Sequence, residues 1–131
     1  GELNVLRNLP NYHYVEAPTT TCKFVFQMDD QEKMEYSQQV RQHFADTVEA
    51  VKKYHAKLLV MDEVLDAVAM GMLSDEALAE FLRNRPEDLE VVMTGRAPTP
   101  CTDPLADYIT RMQKVRHPFD KGLNARLGVE F

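Results

Sequence analysis

With 131 residues, 44% of them hydrophobic, the chain is long enough to bury one core and reads as a single α/β domain over residues 1–131. A net charge of −6 with dispersed Lys and Arg excludes a broad nucleic-acid surface, and no apolar stretch reaches the roughly 18 to 20 residues that span a bilayer. Gly1-Glu2-Leu3 is neither signal nor transit segment, and Cys22 and Cys101 have no metal-ligand or redox spacing, so a soluble, reduced, cytoplasmic protein is expected.

Tyr12 to Ala17 and Lys23 to Met28 are short, aromatic and β-branched, and Pro18 with three threonines separates them, which predicts strand, loop, strand. Asp29 followed by Glu32 is a capping-box pattern with Asp in place of Ser or Thr. Val40, Phe44, Val48 and Val51 then recur at steps of four, four and three, so a helix running to about Tyr54 has one apolar face for a sheet.

Leu58 to Met61 reads as a buried strand ending in Asp62-Glu63, and Val64 to Met72, which holds Gly71, as a short helix or turn. Ser74 can cap the next helix, with Asp75 and Glu76 in its first turn, Leu78, Phe81 and Leu82 as its buried stripe and Pro86 as its stop. Leu89 to Thr94 supplies another strand, closed by Gly95 and Arg96. Asp103 and Pro104 suit the N-cap and first position of a short helix before a last strand near Tyr108 to Met112. Strands and helices in alternation predict a mostly parallel sheet with helices on both faces. The seven methionines read as core filler.

Four apolar residues ending in paired carboxylates bring acid to the carboxyl end of a strand, the edge where open α/β sheets bind ligands. The run Leu58 to Glu63 resembles the Walker B strand of P-loop nucleotide enzymes, where a carboxylate holds Mg²⁺ directly or through water. No G-x-x-x-x-G-K-[ST] phosphate loop occurs in these 131 residues, so half of such a nucleotide site is absent from them. With Gly1 in place of an initiator Met, the chain reads as a fragment or processed form.

Several short elements, in order, carry a family resemblance: the Leu58 to Glu63 strand, Arg85-Pro86, Val91-Val92-Met93-Thr94-Gly95-Arg96, Ala106-Asp107, His117-Pro118-Phe119-Asp120-Lys121-Gly122 and Gly128-Val129-Glu130-Phe131. Together they resemble the P-loop-type ATP:corrinoid adenosyltransferases, the CobA, CobO or BtuR group, in the region after the phosphate loop. The resemblance implies a RecA-like P-loop NTPase fold that lacks here its N-terminal strand and phosphate loop. It also implies transfer of the 5′-deoxyadenosyl group of ATP to the cobalt of a reduced corrinoid, with triphosphate leaving. The implied cofactors and substrates are ATP, Mg²⁺ and a corrinoid, either cobalamin or a precursor. A homodimer and a flavoprotein-type reductant are compatible partners.

By this resemblance Glu63 is the first choice for Mg²⁺ and Asp62 for its water shell, although a structural cap accounts for both residues as well. Phe24-Val25-Phe26 is similar to the family's Phe-x-Trp segment, with Phe at the second aromatic position. The resemblance assigns Phe24 and Phe26 to the lower corrin face, where apolar rings displace an axial ligand; periodicity alone places them on a strand facing the core. Arg96 is a candidate for phosphate or for a structural ion pair, and His117 is either a site residue or a packed loop histidine. Leu65 and Asp66 depart from the Asn and aromatic residue common in the family. His13, His43 and His55 share no zinc-ligand spacing. The alternative function is a non-catalytic corrinoid-binding or interaction module without the phosphate loop.

Overall fold

The computed structural model describes residues 3–18 and 25–126. They fall into two compact units, the described residues of 1–14 with those of 108–131, and those of 15–107. In the first unit one helical turn, α1 (Leu3–Leu6), leads to Arg7, whose guanidinium lies 5.6 Å from the centre of the Tyr14 ring. A 3₁₀ turn at Pro118–Lys121 ends at Gly122, where φ is 77°. Lys114 and Asp120 pair at 2.7 Å on the surface, an interaction of at most about 1 kcal/mol.

The second unit begins with a 3₁₀ turn at Val25–Gln27 and the long helix α2 (Asp30–Tyr54). The expected capping box is formed. Asp29 Oδ1 accepts the Glu32 N–H at 2.8 Å and Glu32 Oε2 accepts the Asp29 N–H at 3.0 Å, an arrangement that stabilises a helix start by about 1 kcal/mol. The helix stops at His55, a left-handed residue at φ 49°. Its apolar face buries Val51 and brings Val40 and Phe44 onto the core. Thr47 is also buried there, its hydroxyl satisfied by the His43 carbonyl at 2.8 Å.

Strands β1 (Leu58–Met61) and β2 (Glu90–Met93) pair in parallel, from Leu58 against Glu90 to Met61 against Met93. A parallel pair needs a crossover, supplied here by α3 (Val64–Ala69) and α4 (Asp75–Arg83). Ser74 caps α4 by accepting the Ala77 N–H at 3.2 Å. Leu78 and Leu82 of the predicted stripe are buried and join Met61, Leu65 and Leu73 in the core, where Phe81 meets Phe44 edge to face at 5.9 Å. Strand residues alternate as a period of two requires: Leu59 and Val91 pack on the core, whereas Leu58, Val60 and Val92 remain 59%, 57% and 45% exposed. The chain is thus α/β with a parallel sheet, as its pattern of elements predicts.

Among the described residues the other predicted strands are not formed. Residues 12–18 have no regular structure, and Val25–Gln27 closes a tight turn in which the Met28 N–H reaches the Val25 carbonyl at 3.2 Å. Tyr108 to Met112 is irregular, with Tyr108 and Met112 94% and 93% exposed. Aromatic and β-branched residues favour a strand only where a neighbouring strand and a face to bury are at hand. The short turn at Asp103–Leu105 takes Thr102 as its N-cap position, one residue before the expected Asp103. Met28, Met61 and Met72 are buried, but Met34, Met70 and Met112 are exposed and fill no core.

Candidate functional site

The register of β1 and β2 positions the site. One step beyond the last pair, Met61 against Met93, Asp62 comes beside Thr94. The Thr94 hydroxyl donates to Asp62 Oδ1 at 2.6 Å and accepts the Glu63 N–H at 2.8 Å. Its backbone N–H donates to the Met61 carbonyl at 3.1 Å, and its own carbonyl accepts the Leu65 N–H at 3.3 Å. Every polar atom of Thr94 is therefore bonded to the last residue of β1 or to the segment that leaves it. A register slip of one residue would remove this match.

Glu63 occupies the N-cap position of α3 with left-handed backbone, φ 54° and ψ 18°, and its side chain makes no capping bond. Left-handed geometry costs a residue with a Cβ roughly 1 to 2 kcal/mol. The Thr94 hydroxyl holds the Glu63 amide in that turn. The Glu63 carboxylate is consequently not spent on the helix start, and no hydrogen bond to it is formed among the described residues.

Beyond Thr94 the chain closes on α3. Gly95 lies at φ 154°, and a Cβ there would stand 2.6 Å from Leu65 Cβ and 3.2 Å from the Asp66 amide nitrogen. Glycine is required for this approach. The next residue donates its backbone N–H to Asp66 Oδ1 at 3.3 Å, which fixes Arg96 at the same strand end as Asp62 and Glu63. Asp66, where the family resemblance favours an aromatic residue, thus has a local structural use.

A second acid and threonine cluster ties the N-terminus of α4 to the loop before Asp103. Asp75 accepts the Thr99 hydroxyl on one oxygen and the Cys101 N–H, at 3.0 Å, on the other. Thr99 and Thr102 are buried and bonded to each other at 2.7 Å. Burial by itself would raise the Asp75 carboxyl, but the bonds from Thr99 and Cys101 outweigh it and hold the carboxyl below its ordinary value. The same carboxylate, with burial, pushes the Cys101 thiol up. Cys101 is unpaired and, with its thiolate disfavoured, is a poor nucleophile.

The predicted site residues divide among these surroundings. Asp62, Glu63 and Arg96 come together at the carboxyl ends of β1 and β2. His117 belongs to the other compact unit, where its Nδ1 accepts the Phe119 N–H at 3.1 Å and caps the Pro118–Lys121 turn. Phe24 and the side chain of Phe26 lie outside the described residues. A groove between α2 and α4, lined by Phe44, Val48, Val51, Phe81 and Pro86, includes none of the predicted site residues. Thr94 is assigned no role by the sequence patterns; its local signal is a hydroxyl at the carboxyl end of the second strand, directly before Gly95.

Among the described residues no group of three or more His, Cys, Asp and Glu side chains is placed to hold a metal ion. Among these residues no closed, all-protein metal cage is formed. Asp62 and Glu63 instead form an oxygen-only pair at one strand end, with Thr94 occupying one oxygen of Asp62. That donor set fits Mg²⁺, which keeps several waters and takes one or two carboxylates together with substrate phosphates. No helix among the described residues is long and apolar enough to cross a membrane.

Comparison with known proteins relates the chain to a family. The family model for ATP:corrinoid adenosyltransferase BtuR/CobO/CobP matches residues 1–131. A corrinoid adenosyltransferase of Escherichia coli K12 is 27% identical over 130 residues, 95% of this chain and 63% of that protein. The corrinoid adenosyltransferase CobA of Salmonella typhimurium LT2 is 28% identical over the same shares of the two chains. A corrinoid adenosyltransferase of Pseudomonas aeruginosa is 38% identical over 74 residues, 56% of this chain and 36% of that protein. The chain thus spans less than two thirds of the length of these relatives. No solved structure is a significant match.

Proposed function

The chain belongs to the ATP:corrinoid adenosyltransferase family BtuR/CobO/CobP, and from that premise we propose that the full-length protein transfers the 5′-deoxyadenosyl group of ATP to the cobalt of a reduced corrinoid. In this reaction the cob(I) centre attacks the 5′ carbon, a cobalt–carbon bond forms, the bond from that carbon to oxygen breaks, and triphosphate leaves with the electron pair. The observation that supports a nucleotide role for these residues is the meeting of Asp62, Glu63 and Arg96 at the carboxyl ends of two parallel strands.

Glu63 and Asp62 would hold the hydrated Mg²⁺ beside the phosphates, and Arg96 would contact phosphate directly. When bound, Mg²⁺ supplies charge neutralisation for the departing triphosphate. These residues orient ATP from its phosphate end, leaving the 5′ carbon to meet the corrinoid. Phe24 and Phe26 are the candidates for the lower corrin face, where exclusion of water and of an axial ligand eases reduction of cob(II). The phosphate loop that such a site needs is not among the 131 residues. Cytoplasmic location, a homodimer and a flavoprotein-type reductant complete the reading.

The test is adenosylation of cob(I)alamin by the full-length protein, followed as loss of the cob(I) spectrum with Mg·ATP. Turnover that disappears in Glu63→Gln supports both the reaction and the metal role. Corrinoid binding with no turnover in the unaltered protein would instead favour the non-catalytic module. Unchanged Mg²⁺-dependent turnover in Glu63→Gln would refute the metal role.

A further inference from the structure

We infer that Thr94 is the positioning residue of the carboxylate pair, holding Asp62 with one oxygen committed and Glu63 in the turn that frees its carboxylate. The inference rests on the metal reading of Asp62 and Glu63 and adds to it a residue from the neighbouring strand. Thr94 is 32 residues from Asp62 in sequence, yet its hydroxyl is at 2.6 Å from Asp62 Oδ1 and 2.8 Å from the Glu63 amide nitrogen.

A threonine hydroxyl has one proton to give, and here it goes to Asp62. The same oxygen receives the Glu63 N–H, so the bond to the backbone fixes the direction of the bond to the carboxylate. Asp62 Oδ1 is thereby oriented while Oδ2 stays available to a metal-bound water. The neighbouring amide, in a left-handed turn at φ 54°, would otherwise be left to solvent. One hydroxyl therefore sets both the rotamer of the first acid and the backbone geometry of the second.

The Thr94 backbone sets this hydroxyl in place independently, through the bonds to the Met61 carbonyl and from the Leu65 amide. Those two bonds do not involve the side chain and survive its replacement by Val or Ser. Thr94→Val accordingly keeps shape and strand pairing and removes only the hydroxyl, whereas Thr94→Ser keeps the hydroxyl and removes a methyl group.

The experiment uses the full-length protein with Mn²⁺ as the probe in the presence of ATP, with free Mn²⁺ read by electron paramagnetic resonance. Asp62→Asn and Glu63→Gln serve as controls. Thr94→Val should weaken Mn²⁺ affinity about 10-fold, the lower end of the roughly 10- to 100-fold effect of removing a ligand's hydrogen-bond partner, and Thr94→Ser should restore it. Amide hydrogen exchange adds a metal-free readout, in which Glu63 N–H is protected in the wild type and the Ser variant and exposed in the Val variant.

Equal Mn²⁺ affinity in wild type and a folded Thr94→Val, with both controls weakened, overturns the positioning role and leaves the metal reading standing. Mn²⁺ binding unaffected by Asp62→Asn and Glu63→Gln overturns the metal reading and the inference together. If Thr94→Val does not fold, fast exchange of the Glu63 amide in the unaltered protein would overturn the inference, and slow exchange with Thr94→Ser at wild-type affinity would support it.

Discussion

Two aspartates in the larger unit are each bound by a threonine hydroxyl distant in sequence, and the two clusters end in opposite states. Asp75 has both oxygens occupied, by Thr99 and by the Cys101 amide, and Thr99 and Thr102 are buried around it. Asp62 has one oxygen held by Thr94, and Glu63 next to it makes no capping bond. The residue types are the same; what differs is how much acceptor capacity is left over. A saturated carboxylate fastens a loop, while a carboxylate held on one side and open on the other is prepared for a ligand.

Substitutions at the two clusters should therefore separate activity from stability. The largest effect is expected at the open cluster. Glu63→Gln should lower Mg²⁺-dependent adenosylation in the full-length protein by about 100-fold or more while leaving thermal unfolding nearly unchanged, since ligand loss should match or exceed loss of a ligand's partner. A comparable fall in both would mean that Glu63 is structural.

Gly95→Ala joins the two properties, because its Cβ would meet Leu65 Cβ at 2.6 Å and disturb the clasp behind the carboxylates. Destabilisation toward the upper end of about 1 to 3 kcal/mol is expected in urea unfolding, together with weaker metal binding. At the closed cluster, Asp75→Asn should cost about 1 to 2 kcal/mol by the same measurement and leave Mn²⁺ affinity untouched.

The closed cluster also has a pH signature. The Asp75 carboxyl is held below its ordinary value, so it binds its proton more weakly when folded than when unfolded. Its contribution to stability is complete above the unfolded pKa of about 3.9 and is lost as pH falls through the lower folded value. Unfolding of wild type and Asp75→Asn should accordingly converge as pH is lowered below about 4. A gap that stays constant over this range would show that Asp75 is not what titrates.

The parts of this molecule that were legible from sequence are those built by near neighbours. The capping box of Asp29 and Glu32, the apolar steps along α2 and the Ser74 cap all act within one or two helical turns, and each is formed. β1 and β2 were legible because their apolar runs end at Asp62 and Thr94. Tyr12 to Ala17 and Tyr108 to Met112 carry similar residue types but have no strand partner among the described residues, and strand propensity without a partner decides little. The tie from Thr94 to Asp62 and that from Thr99 to Asp75 bridge 32 and 24 residues. Such contacts depend on register and crossover, and no local pattern encodes them.

Glu63 sits in a backbone geometry better suited to glycine. Glu63→Gly should relieve roughly 1 to 2 kcal/mol of backbone strain and give back roughly 0.5 to 1 through a freer unfolded chain, leaving the protein as stable or up to about 1.5 kcal/mol more so. Thermal unfolding would register the change as a small rise in Tm or none. Optimising this chain for robustness alone would thus erase its proposed chemistry at an early step, because the position that carries the carboxylate is one where the fold has no use for a side chain.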